Sequence, residues 1–92
     1  MKTKLDIARE EINNIDEEMI ELFKKRMKAV GMVVEYKLEN NLPVLDSSRE
    51  DKLIEKNLKY LNDESLKEYY LTFFNGVLNS SKDYQKKIKG DK

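Results

Sequence analysis

Between residues 5 and 38 the chain carries no proline and one glycine, Gly31, while apolar residues recur in a three-four rhythm. They are Leu5, Ala8, Ile12, Ile15, Met19, Leu22, Ala29, Val33 and Tyr36. In heptads this is an a/d seam over almost five repeats, and such a seam predicts one long helix. These 34 residues would make a rod of roughly 50 Å at about 1.5 Å per residue. A compact domain of 92 residues has a radius of gyration of only about 12 Å. The rod therefore needs a second long helix to cover its seam, and the rest of the chain offers none of equal length. A second copy does, so the seam predicts a homodimer.

The rest of the chain reads as two shorter helices. Glu39-Asn40-Asn41-Leu42-Pro43-Val44-Leu45-Asp46 contains turn-forming Asn and the only Pro, and predicts a loop. Ser47-Ser48-Arg49-Glu50 then reads as a capping box: the Ser47 hydroxyl accepts from the Glu50 N–H and the Glu50 carboxylate reaches back. Leu53, Ile54, Leu58 and Leu61 form the apolar stripe of the helix it starts, and Asn62-Asp63 is expected to end that helix and cap the next. The third helix is expected from about residue 64 to residue 88, with Leu66, Tyr70, Phe73, Phe74, Val77 and Leu78 on its buried side. The expectation is a single all-α domain over residues 1–92 with a long, a short and a medium helix. No strand pattern, repeat or low-complexity tract competes with it. Gly31-Met32 is an unusual pair inside a helix and predicts a local bend or fray.

Composition limits the chemistry. With no His and no Cys there is no imidazole acid-base group, thiolate nucleophile, disulfide or Cys-based zinc site, and no cofactor or metal is expected. Charged residues make up 39% of the chain, yet Lys+Arg 18 balances Asp+Glu 18, which argues against a nucleic-acid partner needing a basic excess. Any electropositive site must be local. Of the 18 basic residues only Arg9, Arg26 and Arg49 are Arg. The N-terminal residues Met1-Lys2-Thr3-Lys4-Leu5-Asp6 meet charge before any apolar run develops, so neither a signal peptide nor a membrane span is expected, and a cytoplasmic location is. The charged tail at residues 86–92 is expected to be solvated.

Several polar residues interrupt the apolar pattern. Arg26 occupies an a position in the series Leu5, Ile12, Met19, Arg26, Val33, where a cation must be paired or snorkel to the edge. Lys37 follows 11 residues later, about 20° past three full turns and about 16 Å along the axis. The two side chains could converge on an anion between them; by itself Lys37 is an ordinary solvated residue near a helix end. Arg9 precedes Lys37 by 28 residues, about 42 Å on the same rod. It is either an ordinary surface residue or, in an antiparallel dimer, a member of the other chain's site. Arg49 sits in the first turn of the second helix, where the dipole disfavours a cation, and reads as a ligand contact or a surface ion pair. Ser81 and Gln85 continue the Val77 side of the third helix, as an inward polar pair or as the start of a polar end. Tyr69, Tyr70, Phe73 and Phe74 read as core, because no basic stripe interleaves them as in a base-stacking platform.

Taken in order, Arg9, Arg26, Lys37, Asp46, Arg49, Glu50, Ser81 and Gln85 resemble the polar set of the all-α class of chorismate mutase. The local matches are Ala8-Arg9-Glu10-Glu11-Ile12 with Ile15-Asp16, Lys25-Arg26, Tyr36-Lys37 and Pro43-Val44-Leu45-Asp46-Ser47-Ser48-Arg49-Glu50. The resemblance implies an intertwined homodimer of three-helix chains, each site completed by an Arg of the other chain. It also implies the Claisen rearrangement of chorismate to prephenate in phenylalanine and tyrosine biosynthesis. On that likeness Arg26, and Arg9 from the opposite subunit, grip the two substrate carboxylates. Lys37 and Gln85 donate to the ether oxygen, Glu50 and the Asp46 backbone hold the hydroxyl, Arg49 adds positive potential, and Ser81 bonds a carboxylate. Isochorismate-pyruvate lyase shares this fold and cationic site, and a non-catalytic helical dimerisation module would explain the heptads alone.

Overall fold

The computed structural model describes residues 1–90 and contains three helices: α1 (Lys4–Glu39), α2 (Ser47–Leu61) and α3 (Lys67–Lys89). The all-α expectation holds among the described residues, with the boundaries adjusted by local hydrogen bonding. α1 starts at a capping box formed by Thr3 and Asp6: the Thr3 Oγ accepts from the Asp6 N–H, and the Asp6 carboxylate accepts from the Thr3 N–H, both at 3.1 Å. It runs through Gly31 without interruption, so the fray expected there is absent. A Cβ added at Gly31 would meet Ile88 Cδ1 and Tyr84 Cε2 at 3.9 Å, which places the glycine beneath the end of α3. The helix ends where Asn41 takes a left-handed conformation (φ 55°) and the Leu42 N–H donates to the Lys37 carbonyl at 2.8 Å.

α2 is capped one residue earlier than expected. Asp46, not Ser47, is the N-cap, and its carboxylate accepts from the Arg49 N–H at 3.2 Å and from the Ser48 hydroxyl at 2.7 Å. Those two bonds, in that order Ser48 then Arg49, hold the Asp46 carboxyl below the usual carboxylate range, with the nearby Lys37 charge adding to them. With the cap made by Asp46, the Glu50 carboxylate is free of the helix end. Asn62, left-handed at φ 46°, closes α2 as anticipated. Asp63 then folds residues 63–66 into a turn by accepting from the Ser65 N–H (2.9 Å) and hydroxyl (2.6 Å), so regular α3 begins at Lys67 rather than at 64. α3 stays helical to Lys89; Asp91 and Lys92, the end of the tail expected to be solvated, lie outside the described residues.

α3 packs along the second half of α1 and against α2. The buried apolar side chains are Val34 of α1, Val44 of the loop, and Phe74 and Leu78 of α3. The α1 face against α3 is formed by Met27, Val30, Gly31 and Val34, a flank beside the predicted seam. Ala29, Val33 and Tyr36, placed in that seam, are exposed, with Val33 at 49% and Tyr36 at 61%. α1 thus carries two neighbouring stripes, and only one is covered within the chain. Residues 1–25 are exposed throughout, including Leu5, Ile12, Ile15, Met19 and Leu22. The chain extends 59 × 26 × 20 Å with a radius of gyration of 16.8 Å, well above the roughly 12 Å of a compact domain of its size. No helix among the described residues is long and apolar enough to cross a membrane.

Candidate active site

Where α1, the loop, α2 and α3 meet there is a cavity of about 360 Å³. Its apolar lining comes from Val30, Val33, Val44, Leu45, Leu53 and Leu78, and its polar lining from Arg26, Lys37, Asp46, Arg49, Glu50, Ser81, Lys82 and Gln85. Seven of the eight polar residues singled out in the sequence therefore share one cavity. Arg9 does not. It lies on the uncovered half of α1, about 42 Å along the axis from Lys37.

Each cation has a distinct setting. Arg26, held on the covered flank of α1, donates from Nη1 to the Ser81 hydroxyl, and its guanidinium lies 5.9 Å from the centre of the Phe74 ring. It makes no ion pair with a described carboxylate, so the buried-pair reading of this heptad position is replaced by a hydroxyl and a ring face. Ser81 is buried and donates onward to the Val77 carbonyl at 3.0 Å, which directs its lone pairs toward Arg26. Phe74 is itself fixed by stacking on Tyr70 at 5.5 Å, and the Tyr70 hydroxyl accepts from Asn57 of α2 at 3.1 Å. Of the four aromatic residues expected in the core, Phe74 is buried and Tyr70 half-buried, and these two support the guanidinium; Tyr69 and Phe73, at 69% and 54% exposure, lie outside the core of the single chain.

Lys37 reaches over the loop and donates to the Val44 carbonyl at 3.1 Å. Val44 is buried, so the loop presents that carbonyl from a packed position just after Pro43. Glu50 does not close a capping box; its carboxylate turns to α3, where both oxygens lie 3.4 Å from the Lys82 Nζ. Gln85 is half-buried one turn after Ser81. Lys82 is the one charged member of the cavity that sequence reasoning passed over. Its signal was its i+4 spacing from Leu78 and i−3 spacing from Gln85, which put it on the inward face.

The cavity lining carries four cations, Arg26, Lys37, Arg49 and Lys82, against two carboxylates, Asp46 and Glu50. The formal net charge of +2 arises in a chain whose overall charge is zero. With donors from several directions and apolar walls, the site suits a small dianion with an apolar body. It can bind, orient and stabilise developing negative charge.

Residues 8–86 match the sequence profile of the family described as chorismate mutase type II. The chain is 37% identical over 91 residues to the bifunctional chorismate mutase/prephenate dehydratase of Buchnera aphidicola subsp. Schizaphis graminum, covering 96% of this chain and 24% of that protein. It is 35% identical over 83 residues to the bifunctional chorismate mutase/prephenate dehydratase of the Acyrthosiphon pisum subspecies, covering 89% of this chain and 22% of that protein. The chain thus spans about a quarter of the length of these relatives. No solved structure matches it significantly.

Proposed function

Because the chain belongs to the type II chorismate mutase family, we propose that it catalyses the intramolecular rearrangement of chorismate to prephenate, working as a homodimer. The reaction breaks a C–O bond and forms a C–C bond within one molecule, with no proton transfer and no covalent intermediate. The absence of His and Cys is then no obstacle. The enzyme must hold the substrate folded and place donors at the ether oxygen, where negative charge grows in the transition state.

The observation that carries this reading is the convergence of Arg26, Lys37, Asp46, Arg49, Glu50, Ser81 and Gln85 on one cavity of net positive charge. Arg26, already oriented by Ser81 and Phe74, grips one substrate carboxylate in the two-pronged way that a guanidinium allows. Lys37 and Gln85 donate to the ether oxygen. Glu50 and the backbone at Asp46 hold the hydroxyl, Arg49 supplies positive potential, and Ser81 supplements the carboxylate contacts. The second carboxylate is gripped by Arg9 of the partner subunit, and the dimer this requires is supported by the uncovered stripe of Leu5, Ile12, Ile15, Met19 and Leu22. Incubation with chorismate should consume its absorbance and yield prephenate. Pyruvate released from isochorismate, with chorismate untouched, would instead make the chain a lyase, and inertness to both would leave only a dimerisation module.

A further inference from the structure

Lys82 lies on the cavity wall, on a stripe of α3 that is otherwise Leu78, Ser81 and Gln85. Its Nζ stands 3.4 Å from each oxygen of the Glu50 carboxylate, and the two side chains are partly sheltered, at 35% and 24% exposure. Glu50 has no other described side-chain partner, because Asp46 took over the helix cap. An unpartnered carboxylate would be free to swing, and it would repel a dianion entering the same cavity. The ammonium group bears on both problems, since it stands within reach of both carboxylate oxygens and offsets their charge.

Resting on the chorismate reading of the cavity, we infer that Lys82 is a positioning residue that holds Glu50 in place to receive the substrate hydroxyl. It acts through Glu50 and does not touch the reacting atoms. The cation also completes the net charge of +2 in the lining, which matches the two carboxylates of the substrate before Arg9 of the partner subunit is counted.

The test is a kinetic cycle in the intact dimer with chorismate as substrate. Lys82→Met keeps the stem and removes the charge, and should lower kcat/KM about tenfold, as expected for a charge-assisted contact, chiefly through KM. Lys82→Arg should restore most of the loss. In a Glu50→Gln background, Lys82→Met should change kcat/KM less than about twofold, because the carboxylate it serves is gone. A kinetically silent Lys82→Met in an active enzyme would overturn the inference and leave the functional reading intact. So would an undiminished loss in the Glu50→Gln background, which would make Lys82 a direct substrate contact, or failure of Arg to restore activity. A wild-type chain inert to chorismate would overturn the functional reading, and this inference with it.

Discussion

A charge placed on the uncovered stripe of α1 should abolish both the dimer and its catalysis. Ile12 is the natural position, an a residue near the middle of the stripe, 54% exposed in the single chain. Full burial of such a side chain is worth about 1.5–3 kcal/mol, so covering the remaining half contributes about 0.8–1.6 kcal/mol per copy. A two-fold interface holds each residue twice, so Ile12→Asp forfeits about 1.6–3 kcal/mol per dimer. It also buries two unpaired carboxylates at several kcal/mol more. A loss of at least about 5 kcal/mol raises the dimer Kd more than about a thousandfold. Sedimentation over a wide concentration series would measure this, with chorismate turnover followed on the same samples. The variant should sediment as a monomer and lose activity together with the dimer, because Arg9 lies about 42 Å from Lys37 along its own helix. Ile12→Leu, with equal volume, should behave as wild type. A dimeric Ile12→Asp, or a monomer with undiminished kcat/KM, would refute the shared-site reasoning.

Other substitutions probe the cavity and the rod. Lys37→Ala removes a donor fixed at the Val44 carbonyl and should lower kcat/KM by about a hundredfold or more, measured as prephenate formed below the melting transition of the variant. Gln85 donates at every pH, so the rate should be flat from about pH 5 to about pH 8, whereas the carboxyl of Gln85→Glu donates only when protonated. That variant should lose activity as pH rises above the carboxyl pKa, and an unchanged pH profile would remove Gln85 from the ether-oxygen role. Gly31→Ala places a methyl group at ordinary contact distance from Tyr84 and Ile88. It should stabilise the chain by about 0.4–1 kcal/mol, raising Tm by a few degrees in thermal unfolding; a lower Tm would show that α3 cannot accept it.

The long helix was legible because periodicity, length and the absence of proline all pointed one way. Its pairing was less so. The seam through Val33 and Tyr36 and the flank through Val30 and Val34 are adjacent stripes, and a heptad count cannot say which one the chain's own α3 will cover. The α2 cap shifted by one residue because Asp46 and Ser47 are both good caps, separated by little local free energy. The choice goes with a long-range contact, Glu50 to Lys82, that local rules do not contain. Of the seven residues that share the cavity, Arg26, Lys37, Arg49, Ser81 and Gln85 stood out by spacing or by their place on a helix, whereas Asp46 and Glu50 read as loop and cap and joined the set only through the resemblance. Lys82 was missed because a lysine near a lysine-rich helix end looks like solvent-facing charge. Arg9 could not be placed by one chain at all, as its proposed site belongs to another.

The bond from Lys37 to the Val44 carbonyl has a consequence for the segment joining α1 to α2. A free lysine carries about 2 kcal/mol of rotamer entropy, which a donor that must meet one oxygen has to give up on each turnover. Here the loop restrains that freedom beforehand and works as a splint for the side chain. Surface connections usually tolerate insertions, but residues 40–46 should not. One added residue would carry the Val44 carbonyl away from the ammonium group, and on the proposed function the rearrangement should slow with every cavity side chain still present. If Lys37 donates to the ether oxygen as proposed, the length of this segment matters to catalysis as much as the residues it joins.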